Sequence, residues 1–391
     1  MNVEPRTVNV EHAAQSARQS ARMIIAASEA DANLYYATRF LAPDSFVFVL
    51  TLAGEKVLLM SDLELDRAKA QAAVDSVLPI REYEERAKAA GVERPRLLDS
   101  VHAFLAERRI GSVLVPGSFP IEYGDGLRER GVTVHVKPDP FFEQRLVKTS
   151  EEVEAISRAL QRTEAALERA VQAIREADAD GGVLRWRGAT LTAERVRHLI
   201  SAALLEDGLL AQHTIVACGE AACDPHNVGS GPLRAGEAII IDVFPRDEGS
   251  RYFADITRTV VKGRAPEALH RMYGAVAAGQ ARAFELIRDG AEGETIHREV
   301  QATLERHGFQ SGEQNGRMQG FFHGTGHGLG LEIHELPRIS KFPATLRSGN
   351  VVTVEPGLYY PGLGGVRLED VVVVRENGYT NLTNYPKVLE V

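Results

Sequence analysis

Cysteine is almost absent: Cys218 and Cys223 are the only two in 391 residues. So small a supply excludes a disulfide framework and fits a reducing compartment, so the pair reads as two small buried thiols rather than a zinc site. No run of about 18 apolar residues occurs, which argues against a helix that spans a membrane. The opening segment MNVEPRTVNVEH lacks the apolar core of a signal peptide, and a cytoplasmic location is expected. There is no excess of basic residues either. Lys and Arg number 45 against 54 Asp and Glu, a net charge of −9 with both signs mixed along the chain. That balance disfavours nucleic acid and anionic membrane as partners. What remains is 44% hydrophobic and 25% charged, the composition of an ordinary globular enzyme, at a length that suggests two domains.

The first third reads as alternating strands and helices. NLYYATRF, SFVFVLTLAGEKVLLM, GSVLVPG and VTVHVKP are β-branched or aromatic runs bounded by Gly, Pro or Asp, and each predicts a strand or a strand pair. ELDRAKAQAAV and PRLLDSVHAFLAERR carry helical patterns between them. An α/β domain over residues 1–147 is expected, with the boundary in the proline-bearing stretch 138–148. Thr149 or Ser150 then caps a long amphipathic helix over Ser150–Glu176, with Glu151 and Glu152 in its first turn where the helix dipole favours them. Two further helices are expected over 266–288 and 294–307. Around them lie two hairpins, AIIIDVFP–RDEGS–RYFADITRTVV and VVTVEPGLYY–PGLGG–VRLEDVVVV. The second domain is therefore α+β and covers residues 148–391.

The second domain also holds the residues with chemistry. Asp242, Asp255, His327, Glu355 and Glu369 each sit at or beside an apolar strand-like run. Each hairpin carries two carboxylates, one per strand, 13 residues apart in the first and 14 in the second. Facing strands can present their side chains to one point. Four acids gathered among apolar strands repel one another unless cations neutralise them. The set therefore predicts a site for two divalent ions. Oxygen-rich donors suit Mn or Mg, and the imidazole keeps Zn, Co and Fe open. FFHGTGHGLGLEIHE adds His323 and His334 to His327 in a glycine-rich stretch, and His226 lies in the loop-like CDPHNVGSG before the first hairpin. Glycine permits close approach to a ligand, and histidine moves protons near neutral pH.

CDPH (223–226), IIIDVFP (239–245), ADITRT (254–259), GTGHGLGLEIHE (324–335), VEPG (354–357) and GVRLED (365–370) together resemble the pita-bread metallopeptidases. The branch they resemble is that of the Xaa-Pro dipeptidases (prolidases) and Xaa-Pro aminopeptidases. The motifs span the second domain, and the first resembles the family's creatinase-like N-terminal α/β domain in size and pattern alone. The resemblance implies that Asp242 ligates one metal, that Asp255 and Glu369 bridge both, and that His327 and Glu355 complete the second. It makes Glu355 the proton acceptor of the bridging water. His226 and His334 become the histidines that bind substrate and stabilise the tetrahedral intermediate. It places His323 on the proline side of the pocket, and Arg367 beside Glu369, within reach of a substrate carboxylate. The implied cofactors are two divalent ions, Mn first, then Co or Zn. The implied substrate is a small Xaa-Pro peptide, cleaved by a metal-bridging hydroxide, and the implied assembly is a homodimer.

Three departures bear on substrate contacts. Phe244-Pro245 follows the first Asp where the family favours a glycine. The first hairpin is longer than is usual. Gln212 stands fourteen residues before His226, where many members carry a tyrosine. The last feature is similar to a subgroup of bacterial dipeptidases, and the dipeptidase reading is preferred to that of an aminopeptidase acting on longer peptides. A methionine aminopeptidase lacks a first domain of this size, a creatinase-like hydrolase does not keep the ligands, and a non-catalytic pita-bread binding protein loses ligands or histidines.

Overall fold

The computed structural model describes residues 19–391. The chain forms two compact units, Met1–Glu143 and Gln144–Val391.

The first unit is built on a six-stranded sheet. Its strands run in the order Ser76–Pro79, Lys56–Met60, Phe46–Leu50, Ala21–Ala26, Ser112–Pro116, Thr133–Lys137. The three central strands pair antiparallel to one another only through Phe46–Leu50, and the outer pairings are parallel. Alternate residues of each strand go to opposite faces, as the two-residue period of a strand requires. Val47, Val49, Val57 and Leu59 join one buried cluster with Phe104 and Leu105, while Phe46, Phe48, Leu58 and Met60 join the other with Leu34 and Phe40. The sheet is thus covered on both faces, which explains why its strands read as continuous apolar runs.

One expectation fails here. NLYYATRF is not a strand: Ala32–Thr38 is an α-helix. Asp31 caps it, its carboxylate accepting from the Leu34 N–H at 2.7 Å, and Arg39 ends it in a left-handed conformation at φ 50°. The cap and the burial of Leu34 and Ala37 outweigh the strand preference of the two tyrosines. The strand Ala21–Ala26 escaped the sequence reading.

In the second unit the long helix spans Ser150–Glu176, and Thr149 is its cap. The Thr149 hydroxyl accepts from the Glu152 N–H, and the Glu152 carboxylate accepts from the Thr149 N–H at 2.9 Å. The two other expected helices occupy Glu267–Leu286 and Gly293–Arg306 and pack on each other. A further helix, Ala193–Glu206, and a small ribbon of Asp178–Asp180, Val183–Trp186 and Ala189–Thr190 were not anticipated. Of the two cysteines, Cys223 is buried and Cys218 is only half-buried.

Both expected hairpins form. In the first, Ile239–Val243 lies between Ile215–Cys218 and Ile256–Val260 in an antiparallel three-stranded sheet. The second is interrupted. Val351–Val354 pairs with Asp370–Arg375 inside a five-stranded sheet, whereas Gly357–Tyr360 pairs with Gly364–Arg367 as a separate two-stranded ribbon. One ladder ends at the pair Val354 and Asp370, and the other begins at Gly357 and Arg367. Pro356, which has no N–H to offer, sits in the gap. The helix Glu267–Leu286 covers both pieces through an apolar core that includes Met272, Val276, Val354 and Leu368.

Candidate metal centre

The gap in the second hairpin is where two of the acids stand. Glu355 follows the last residue of one strand, and Glu369 precedes the first residue of its partner. Asp255 likewise sits one residue ahead of Ile256–Val260, and Asp242 lies inside Ile239–Val243, opposite Thr257. Standing outside the ladder frees Asp255, Glu355 and Glu369 from strict alternation and lets them turn towards His327. The peptide groups around them stay satisfied: the Glu355 N–H donates to the Thr325 carbonyl at 2.7 Å and that of Glu369 to the Thr257 carbonyl at 3.1 Å.

His327 comes from the short strand Gly326–Gly328, packed beside Val351–Val354. Only glycine fits before it, because a Cβ on Gly326 would stand 1.9 Å from the Thr353 carbonyl oxygen. The His327 N–H donates to the Thr353 hydroxyl at 3.1 Å. Its Nδ1 lies 3.1 Å from the Gly328 carbonyl and therefore carries the ring hydrogen. Nε2 is left with its lone pair towards two carboxylates, 3.4 Å from Glu355 Oε1 and 3.7 Å from Asp255 Oδ2.

Ligand atoms of Asp255, His327 and Glu369 all lie within 4.8 Å of one another, and all three residues are buried. Burial, reinforced by the Glu369 charge, holds the Asp255 carboxyl well above the usual range, and burial with the Glu355 charge does the same to Glu369. Glu355 is pushed up to about 8, mainly by burial. Burial pushes His327 down to about 3. Asp242 keeps one buried oxygen, Oδ1, without a hydrogen-bond partner. Clustered acids, a lone pair aimed at anions and an unpartnered carboxylate oxygen are the environment a hard divalent cation satisfies, so the donor set fits metal.

The other Asp242 oxygen is held. Arg367 Nη2 donates to Oδ2 at 2.6 Å, and Nη1 donates to the Tyr359 hydroxyl at 2.8 Å. Tyr359 in turn lies 2.9 Å from His323 Nε2, whose Nδ1 is 2.8 Å from the Gly324 carbonyl. His323 thus donates through Nδ1 and accepts from Tyr359 through Nε2, and both its nitrogens are in use. Thr257 bridges the two groups: its hydroxyl donates to Glu369 Oε2 at 2.9 Å and accepts from Arg367 Nε at 3.3 Å. Tyr359 and Thr257 were missed in the sequence reading. Thr257 lies within ADITRT, two residues after a candidate ligand, and the strand period puts it on the same side.

His226 and His334 are both exposed. The His334 ring meets His327 edge to face, 4.4 Å between centroids, and His226 lies within electrostatic reach of both His323 and His334. The stretch carrying His334 is anchored by its neighbour Glu335. That buried carboxylate accepts from Lys148 Nζ at 2.8 Å and pairs with Arg145, and its Oε1 accepts from the Glu332 N–H at 3.1 Å.

Residues 154–376 match the model of the metallopeptidase family M24. The chain is similar to the Xaa-Pro dipeptidase of Pyrococcus furiosus, 29% identical over 361 residues that make up 91% of this chain and 92% of that one. The solved prolidase of Pyrococcus horikoshii superposes at a TM-score of 0.77 with 25% identity, covering 97% of this chain and 98% of that one. The X-Pro aminopeptidase of Thermotoga maritima superposes equally well, at 0.77 with 23% identity, and covers 97% of this chain and all of that one. The fold of the second unit is the pita-bread architecture, preceded by an N-terminal α/β domain.

Proposed function

Because the chain belongs to metallopeptidase family M24, we propose that it is an Xaa-Pro dipeptidase, hydrolysing the peptide bond before proline at a centre of two divalent ions. The observation that carries this is the gathering of Asp255, His327 and Glu369 at one buried point, with Glu355 Oε1 3.4 Å from His327 Nε2. The similarity to an Xaa-Pro dipeptidase over most of both chains supports the substrate class. In this reading Asp242, Asp255, His327, Glu355 and Glu369 would hold the two ions between them. Manganese is the first choice for both, with Co or Zn as substitutes. When bound, the ions supply a hydroxide nucleophile at neutral pH and positive charge for the oxyanion.

The remaining work falls to the chain's own side chains. Glu355 accepts a proton during attack and returns it to the leaving proline nitrogen. His226 and His334 bind the peptide and stabilise the tetrahedral intermediate, the largest usual contribution to such catalysis. Arg367 acts first on Asp242, to which it is already committed. His323 lines the proline side through its ring, since its nitrogens are engaged. Proline's ring fixes φ and removes the N–H, so a site shaped for that ring is the reason for a dedicated enzyme. We read the protein further as a cytoplasmic homodimer, in line with its cysteine-poor composition and the expectation from the family.

Assay of Ala-Pro against Ala-Pro-Ala with Mn tests the proposal. Turnover of the dipeptide with little of the tripeptide is expected, and comparable rates would replace this reading with an Xaa-Pro aminopeptidase. Removal of metal by a chelator abolishes turnover, and Mn restores it.

A further inference from the structure

The helix Glu267–Leu286 turns an apolar face to the sheets, with Leu269, Met272, Val276 and Ala283 buried along it. One residue on that face is polar. Gln280 is only 1% exposed, and its Nε2 reaches two backbone carbonyls, Val354 at 2.8 Å and Leu368 at 3.2 Å. Both partners are acceptors, so the NH2 end of the amide must face them, one hydrogen to each. Val354 and Leu368 are the residues immediately before Glu355 and Glu369.

From this geometry we infer that Gln280 is a positioning residue for the metal centre: it ties the two carboxylate-bearing turns together across the gap in the second hairpin. The inference rests on the metal-site reading above. Between the pair Val354–Asp370 and the pair Gly357–Arg367 the strands no longer hold each other through a ladder. Among the described residues, the direct backbone link inside the gap is the long contact from the Leu368 N–H to the Pro356 carbonyl, 3.4 Å. Gln280 spans the gap from below, and its side chain sets how far apart Val354 and Leu368 stand. Arg258 Nη1 holds the next peptide from another side, donating to the Glu369 carbonyl at 2.6 Å. A buried amide surrounded by apolar neighbours has a desolvation penalty to offset, and two good carbonyl acceptors offset it. Methionine would fill the same volume without that demand. Its absence is explained if the distance between the two glutamates, rather than the packing, is what the position serves.

Titrating metal-free wild type and Gln280→Met with Mn, and recording visible spectra of both loaded with Co, tests this. Wild type takes up two ions. Gln280→Met is expected to bind at least one of them about 10–100-fold more weakly, the usual effect of losing a group that orients a ligand. Its cobalt bands shift, and kcat falls with KM nearly unchanged. Melting curves separate positioning from bulk stability: the rise in Tm on adding Mn shrinks in the variant, whereas a merely structural amide lowers Tm equally with and without Mn. If Gln280→Met does not fold, Gln280→Glu carries the same comparison, having the same shape but at most one hydrogen to donate. Equal metal affinities and superimposable cobalt spectra overturn the inference and leave the proposed function standing. Wild type that takes up no metal overturns both.

Discussion

The two units treat buried charge in opposite ways. In Met1–Glu143 no charged side chain is buried among the described residues; the buried polar groups are Ser20, Ser28, Asn33, Thr38 and Ser100. The second unit buries Asp242, Asp255, Arg258, Glu335, Arg367, Glu369 and Asp370, among others. The first sheet is paired along its strands with two apolar faces, while the second unit's decisive hairpin is broken where its acids stand. Asp242 is buried within a paired strand with Arg367 on one oxygen, whereas Asp255, Glu355 and Glu369 stand just outside their ladders, so the second unit holds its charge both by pairing it and by giving up part of a ladder.

The contrast can be tested by substitution, and the largest effect is expected at the acids. His327→Ala or Asp255→Asn removes a group that the proposed function assigns to the metal. With several kcal/mol at stake, and 1.36 kcal/mol per tenfold in rate, Ala-Pro turnover falls by on the order of 10³-fold. Elemental analysis of the Mn-loaded variant falls below two ions per chain. A folded variant with undiminished turnover would break the comparison, because the buried charge would then have no catalytic meaning.

Next comes Glu335→Ala, which leaves Lys148 and Arg145 buried without their partner. Urea unfolding should show a loss of about 3–5 kcal/mol. The same group makes stability depend on pH. Burial alone would raise Glu335, but the Lys148 and Arg145 charges prevail and hold it below the ordinary carboxylate range. A depressed folded value means the contribution is present above the unfolded value, about 4.3, and is lost as pH falls through the folded one. Melting temperature should decline over that acid window in wild type, with a flatter decline in Glu335→Gln.

Phe48→Ala probes the other unit and opens a cavity in its core, at a cost of about 3–5 kcal/mol in unfolding of that unit. Metal content and cobalt spectra should not change, and a change would erase the distinction drawn here. The smallest effect is expected from Asp31→Ala, about 1 kcal/mol for the lost cap, read in the same unfolding experiment.

Parts of this organisation were legible from residue order because local chemistry decided them. Thr149 followed by Glu152 announces a helix start, and Ser150–Glu176 follows it. The acids and His327 stand in distinctive strand contexts, and the structure gathers Asp255, His327 and Glu369. NLYYATRF misled because the tyrosines spoke louder than one capping aspartate. The hairpin was visible but its break was not, although Pro356 was the available sign. Gln280 could not be seen at all: a single glutamine in a helix looks like any surface residue until the helix's facing is known. Tyr359 was hidden in the same way, inside a run that reads simply as strand.

The interruption at Glu355 and Glu369 also separates chemistry from the hairpin's tip. Residues 361–363 close the ribbon of Gly357–Tyr360 and Gly364–Arg367, and positions 361 and 362 are exposed. Additions there would lengthen an outlying loop while both glutamates keep their mutual spacing, since that spacing is held behind the break. The loop can therefore change length without altering the spacing of Glu355 and Glu369.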